Sequence, residues 1–221
     1  PLRAEQINDW LLQHGDDKEL ARLKALRALD ILDSAPEERF DRIIRLAQRV
    51  LKVPTCTFSL MDQHRIWFKS KTGMPLHEIE RQGSLCELSL KHNGCYYIAN
   101  TLLDPATCDH PMVTASPYVR FYASHVVTAP NGVAIGSLCF IDVKPRQHQQ
   151  TEQAALKDFA AMLEDELNSN NRSLSDPLTK LKNRSGFDKR AISLVKLSQN
   201  QQLSLQLIKI RQCFDSTLNI D

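Results

Sequence analysis

Apolar residues recur with helical spacing over the first fifty positions and then, from Pro54, with a period of two. Leu20, Leu23, Leu26, Ala28, Leu29 and Leu32 mark one face of a helix, with Asp16 and Asp17 at the amino end, where the helix dipole favours acidic groups. A shorter apolar stretch, Ile7, Trp10, Leu11 and Leu12, precedes it and ends at Gly15. Ser34-Ala35-Pro36-Glu37 reads as the next helix start, with Pro36 in the first turn, and Phe40, Ile43, Ile44, Ala47, Val50 and Leu51 give that helix its apolar face. Cys56, Phe58 and Leu60 then alternate with Thr55, Thr57 and Ser59, and Asp62-Gln63-His64 predicts a turn into a second strand over 65–71. A short strand fits 95–99. Two longer ones fit 118–128 and 133–141, joined through Pro130-Asn131-Gly132, because Asn-Gly tolerates the positive φ of a tight hairpin. The sheet is expected to be mostly antiparallel.

After Pro145 the helical period returns, from Thr151 to Ser169. Leu156, Leu163 and Asn170 fall seven apart, as do Ala160, Leu167 and Leu174. That spacing suits a closing helix packed on the sheet. It also suits a homodimer seam, with Leu156, Leu163 and Leu167 in or beside it and Asn170 fixing register. The polar run 168–172 predicts a boundary near residue 172. Three parts follow: an N-terminal helical segment 1–15, a body 16–172 and a tail 173–221.

With 42% hydrophobic and 24% charged residues over 221 positions, the chain has enough apolar content for one core and an appendage. Its 28 basic and 26 acidic residues give a net charge of +2 with no block of one sign, so a nucleic-acid partner is not expected. No apolar run approaches a membrane span, and the chain reads as cytoplasmic. The six cysteines form no CxxC pair, and most are expected to be free thiols. Cys95, Cys108 and His110, with His92, have the wrong spacing for a zinc knuckle; no metal site and no required cofactor are assigned.

Candidate binding residues come from the strands and the loop between them. On 118–128, Arg120, Tyr122 and Ser124 share one face and Phe121, Ala123 and His125 the other. An arginine turned into a half-buried cavity needs an anion or carboxylate, which Asp104 or Glu87 would supply; with Tyr122 it would clamp an anionic ligand, or else tie the preceding loop to the sheet. Trp67 and Lys69 are candidates on the second strand, Trp67 either stacking on a ligand or anchoring the core. Arg81 and Cys86 are candidates on the loop after Gly73. No catalytic residue is assigned. Cys86, Cys95 and Cys108 remain a possible redox set without a mark of lowered thiol pKa.

The order of elements is that of a GAF domain, and RLKALRALDILDSAPEERFDRI, SLMDQHRIWFKSKTG, the 117–123 run and GVAIGSLCFID followed by Pro145-Arg146 resemble a GAF subgroup found ahead of signalling outputs. The resemblance runs from about Leu20 to Leu167. It implies an α+β fold: a six-stranded antiparallel sheet flanked by helices, with a ligand cavity on the sheet's other side. It does not name the ligand. The NKFDE motif of cyclic-nucleotide GAF domains is missing, and Cys86 is followed by Glu87 rather than the histidine of bilin attachment. No segment looks like the active-site cysteine region of the GAF domains that reduce free methionine sulfoxide.

DPLTKLKNRSGF, residues 176–187, resembles the opening of a GGDEF (diguanylate cyclase) domain. Such a domain continues into a strand whose carboxylates hold magnesium for phosphoryl transfer. At the corresponding strand this chain has Leu205-Gln206-Leu207-Ile208-Lys209-Ile210-Arg211, with Lys209 and Arg211 where carboxylates are expected, and cations there repel a metal. The expectation is therefore a regulatory GAF module, a small-ligand binder or dimerisation unit acting on a degenerate GGDEF-like output. The alternatives are part of a diguanylate cyclase with its catalytic region elsewhere, or a cysteine-based redox enzyme.

Overall fold

A computed structural model describes residues 17–147 except Lys91 and Asn93, then 150–173, and beyond that Thr179, Leu181, 183–188 and Ala191. The expected helix at 7–12, the side chain of Asn170, and Lys209 and Arg211 lie outside the described residues.

Helix α1 (Asp17–Ala28) and helix α2 (Glu38–Leu51) lead into strands β1 (Thr55–Met61), β2 (Arg65–Thr72) and β3 (Glu78–Glu80). Two short helices, α3 (Leu85–Leu90) and α4 (Pro111–Thr114), flank β4 (Cys95–Ile98). Strands β5 (Phe121–Thr128) and β6 (Ala134–Asp142) form the long hairpin, and helix α5 (Gln150–Ser173) closes the fold. The six strands make one antiparallel sheet in the order β3-β2-β1-β6-β5-β4, the architecture that the GAF resemblance implies.

The hairpin forms where Asn-Gly stands. Gly132 has φ 79° and donates its N–H to Ala129 O at 2.8 Å, while Ala129 N–H donates to Val133 O at 2.8 Å. Helix α2 starts later than Ser34-Pro36 suggests. Ser34 Oγ donates to Ile31 O at 2.7 Å and receives Lys69 Nζ at 2.5 Å, so it is committed elsewhere and the first helical residue is Glu38. The strand β3 and the helices α3 and α4 are too short for a period to reveal them. Tyr118, with φ 58°, keeps 118–120 out of β5.

The helices α2 and α5 cover one face of the sheet. Phe40, Ile43, Ile44 and Ala47 of α2 and Leu156, Phe159, Ala160, Leu163 and Leu167 of α5 pack with Phe58, Leu60, Phe121, Ala123, Leu138 and Phe140 of the sheet. The opposite face carries a second core of Met61, Ile66, Phe68, Leu85, Cys86, Val119, Tyr122, Cys139 and Ile141. Both faces of the central strands are thus buried. The β1 and β6 backbones approach closely: a Cβ at Gly136 would lie 2.0 Å from Ser59 O, so only glycine fits.

Leu156, Leu163 and Leu167 are 1%, 0% and 2% exposed within a single chain. The heptad spacing therefore records the stripe that α5 buries against the sheet, and these leucines are not free to form a seam with a second copy. The large apolar side chains that α2 and α5 leave open, among the described residues, are Leu46, Val50 and Met162.

Candidate functional site

The expected binding residues fall into four places. Trp67 and Lys69 face the helices, because a register shift between Phe58 and Ser59 leaves Lys69 as an extra residue on β2. Lys69 Nζ is 2.8 Å from Glu37 Oε1 and also donates to Ala35 O at 2.9 Å. Its side chain is 0% exposed and it approaches the Phe40 and Trp67 rings. Burial lowers the Lys69 pKa, with Glu37 acting against that shift. Lys69 ties the 34–37 turn to the sheet, and Trp67 packs beside it.

Arg120 lies at the end of the sheet and finds no carboxylate among the described residues. Its Nη1 donates to Val113 O and Val119 O, both at 2.9 Å, and the guanidinium lies over the Tyr118 ring. Carbonyl oxygens of the loop around α4 satisfy it, which agrees with the loop-tying alternative and not with the expected acidic partner.

Arg81 belongs to an ionic cluster under α1. Arg22, only 6% exposed, donates to both Glu19 oxygens at 2.7 Å and to Met61 O. Arg81 Nη1 reaches Glu19 Oε1 at 2.5 Å and Asp62 O at 3.1 Å, and its Nε lies 3.5 Å from Glu87 Oε1. This cluster walls an open recess of about 540 Å³ lined by Lys18, Glu19, Arg22, Arg81, Glu87, Leu90, Val133 and Ala134. Burial works against the Glu19 charge, but hydrogen bonds from Arg22 and Arg81 outweigh it and hold the carboxyl down at about 2. A folded pKa below the unfolded value gives stability that is present above pH 4.5 and lost as pH falls towards 2. Glu19→Gln is expected to flatten the pH dependence of urea unfolding in that window; an unchanged acid limb would show that Glu19 is not its source.

Cys86 and Tyr122 do meet, on the sheet face opposite the helices, and they meet around Cys139. Cys86 Sγ lies 3.8 Å from Cys139 Sγ, the Tyr122 hydroxyl 3.3 Å from it, and Ser137 Oγ 3.2 Å from it. Ser59 Oγ donates to Ser137 O at 3.0 Å. Thr57 and Ser124 stand directly opposite Cys139 on the neighbouring strands, so all three share this face. Both hydroxyls are fully buried, and Thr57 Oγ1 and Ser124 Oγ have no hydrogen-bond partner among the described residues. Leu85, Cys86, Val119 and Met112 pack over the patch, which is consequently polar and enclosed.

The hydrogen bond to Cys139 and burial push Cys86 well above the ordinary thiol value, and burial does the same to the Tyr122 phenol. For Cys139, burial opposes ionisation, but hydrogen bonding from Cys86, Ser137, Tyr122 and Ser59 outweighs it and holds the thiol below its usual range. Cys95 and Cys108, the other members of the expected redox set, are not part of this cluster. Cys139 was missed. Its signal was present as small polar residues alternating with large apolar ones in Ser137-Leu138-Cys139-Phe140 and in Thr57-Phe58-Ser59-Leu60.

An unpartnered buried hydroxyl is a cost in the folded state. Thr57→Val keeps the shape and removes that hydroxyl, and is expected to stabilise the chain by about 1 kcal/mol. A lower midpoint in urea at unchanged slope would show that Thr57 Oγ1 has a partner in solution.

The family model for the GAF domain matches residues 35–167. A cyclic di-GMP phosphodiesterase of Pseudomonas aeruginosa is 30% identical over 148 residues, which cover 66% of this chain and 25% of that protein, so the chain spans about a quarter of its length. Among solved structures, free methionine-R-sulfoxide reductase of Neisseria meningitidis superposes with TM-score 0.52 at 14% identity, covering 72% of this chain and 95% of that one. The GAF domain of an Acinetobacter phosphoenolpyruvate-protein phosphotransferase gives 0.51 at 14% identity, over 73% and 99%. At such identity the two structures speak for the fold alone. Among the described residues, no helix is long and apolar enough to cross a membrane.

Proposed function

The chain belongs to the GAF domain family, and from that premise we propose that it is a sensory, regulatory module of bacterial cyclic di-GMP signalling. The observation that carries this reading is the shared sequence with part of a cyclic di-GMP phosphodiesterase. The fold supplies a route for regulation. Tyr122, Ser124, Ser137 and Cys139 occupy one face of β5 and β6, and Phe121, Ala123, Leu138 and Phe140 of the same strands pack under α5 on the other. A change at the polar patch displaces residues whose immediate neighbours hold the helix. Glu164 of α5 also accepts from the Thr128 N–H and hydroxyl, each at 2.7 Å, and Arg146, whose Nη1 lies 3.6 Å from Glu152 Oε1 at the start of α5, binds Asp142, Leu51 O and Lys52 O. Helix α5 is the output lever.

The output proposed is the GGDEF-like tail. Among its described residues Asn183 caps the helix that begins at Arg184, its Oδ1 accepting from Gly186 N–H at 3.0 Å, which is the structural use of the motif's asparagine. With Lys209 and Arg211 at the metal positions, the chain is expected to make no cyclic di-GMP from GTP and magnesium. Pairing of two copies through the helix layer belongs to the same reading, using the open Leu46, Val50 and Met162.

A chimera tests it. Residues 17–173 replace the matching segment of the Pseudomonas aeruginosa phosphodiesterase, with and without Ser124→Val in the polar patch, and cyclic di-GMP hydrolysis is measured. A rate difference of about fivefold or more is expected, the size of an ordinary coupling between sites. Equal rates in two folded chimeras would remove the regulatory reading.

A further inference from the structure

We infer that Cys139 and Cys86 form a peroxide-oxidised modification site, in which a small hydroperoxide converts Cys139 to a sulfenic acid and Cys86 then resolves it to an internal disulfide. The inference deepens the sensory reading by naming an input chemistry, and rests on that reading only for what the change does downstream.

Three observations converge on Cys139. Its Sγ has a second thiol 3.8 Å away, already close enough that a modest shift of α3 brings the sulfurs to bonding distance of about 2.05 Å. Cys86 sits on that six-residue helix, between Gly83 and Gly94, and at 5% exposure against 0% for Cys139 it is the more accessible thiol of the pair. Finally, Thr57 Oγ1 and Ser124 Oγ flank Cys139 in strand register with no partner, although every buried hydroxyl gains from one. An oxygen on Cys139 Sγ would give both of them an acceptor, and the Tyr122 hydroxyl at 3.3 Å from the sulfur adds a third donor. The sulfur's neighbours therefore suit an oxidised Cys139 better than a reduced one.

The chemistry balances with the hydroperoxide as the only co-reactant. The Cys139 thiolate attacks the outer oxygen, the O–O bond breaks, and the leaving alkoxide takes the proton given up by the thiol, which leaves Cys139 as S–OH and releases an alcohol, or water from hydrogen peroxide. Cys86 Sγ then attacks the sulfenic sulfur. The S–S bond forms, the S–O bond breaks, and hydroxide departs with the Cys86 proton as water. Two thiols are oxidised and one peroxide is reduced. Cys56 shares the centre of the sheet but faces the helices, where burial pushes its thiol up and no second sulfur among the described residues is in hydrogen-bonding contact; it is expected to stay reduced.

The test treats the folded, reduced full chain with hydrogen peroxide and maps each cysteine by mass spectrometry under non-reducing conditions. A Cys86–Cys139 crosslink is expected in the wild type. In Cys86→Ser the resolving thiol is gone, and dimedone is expected to trap a sulfenic acid at Cys139. Thr57→Val with Ser124→Ala is expected to slow Cys139 oxidation about tenfold, a loss in keeping with the removal of prepared donors to a developing anion. The inference is overturned if Cys139 stays reduced while the half-buried Cys95 and Cys108 are oxidised. It is equally overturned if Cys139 oxidises at the same rate in the unfolded chain, since the fold would then contribute nothing. Either result is read from masses alone and leaves the chimera experiment to judge the sensory reading independently.

Discussion

Leu163→Glu is expected to unfold the chain at room temperature instead of merely separating two copies. Leu163 is 0% exposed and sits in the core between α5, α2 and the sheet. Truncation to alanine at such a site costs about 2–5 kcal/mol, and glutamate adds the burial of a carboxylate with no partner. That sum is comparable with the entire stability of an ordinary domain, about 5–15 kcal/mol. The contrast is Met162→Glu, one position along, where the side chain is 40% exposed and the fold is expected to survive. Circular dichroism melts separate the two variants, and sedimentation of folded Met162→Glu reports on pairing. A folded Leu163→Glu that only loses self-association would restore the seam and displace the core assignment.

The second large effect is expected at Glu37 and Lys69, where the identity of the replacement decides the outcome. Glu37→Ala leaves Lys69 Nζ buried beside Phe40 with hydroxyl and carbonyl partners and only the more distant Asp41 as counter-charge, and is expected to cost about 3–5 kcal/mol. Removing both charges in Lys69→Met with Glu37→Gln is expected to lie within about 1–2 kcal/mol of wild type, because a neutral replacement of the pair avoids the desolvation of the buried ammonium and its carboxylate. Urea unfolding of the single and double variants gives the comparison. If Glu37→Ala costs less than about 0.5 kcal/mol, Lys69 reaches solvent and returns as a ligand-binding candidate.

These two cases also show where a reading of residues alone stops. The period of two in Thr55-Cys56-Thr57-Phe58-Ser59-Leu60 announced a strand, and the hairpin followed from Asn131-Gly132, because strand alternation and positive φ are properties of a few neighbouring residues. The family resemblance supplied the sixth strand and the sheet's overall plan, which Glu78-Ile79-Glu80 is too short to announce. What alternation left open was the meaning of the polar face. Thr57, Ser59, Ser137 and Cys139 alternate with the apolar set, and alternation alone does not say whether that face meets solvent; each is 0% or 1% exposed, because α3 and the 112–119 segment cover them.

The sequence by itself determined the helices and strands that close over a few residues, the turns between them and the family to which their order belongs. Which thiol Cys86 meets, which face Lys69 enters after the register shift, and whether Leu163 serves the core or a partner were decided only by tertiary structure. Cys86 and Cys139 are 53 positions apart, and Lys69 meets Ser34 across 35. Contacts at that separation depend on how the sheet twists and where the helices land, and those are set by the packing of the whole core, which no local pattern encodes.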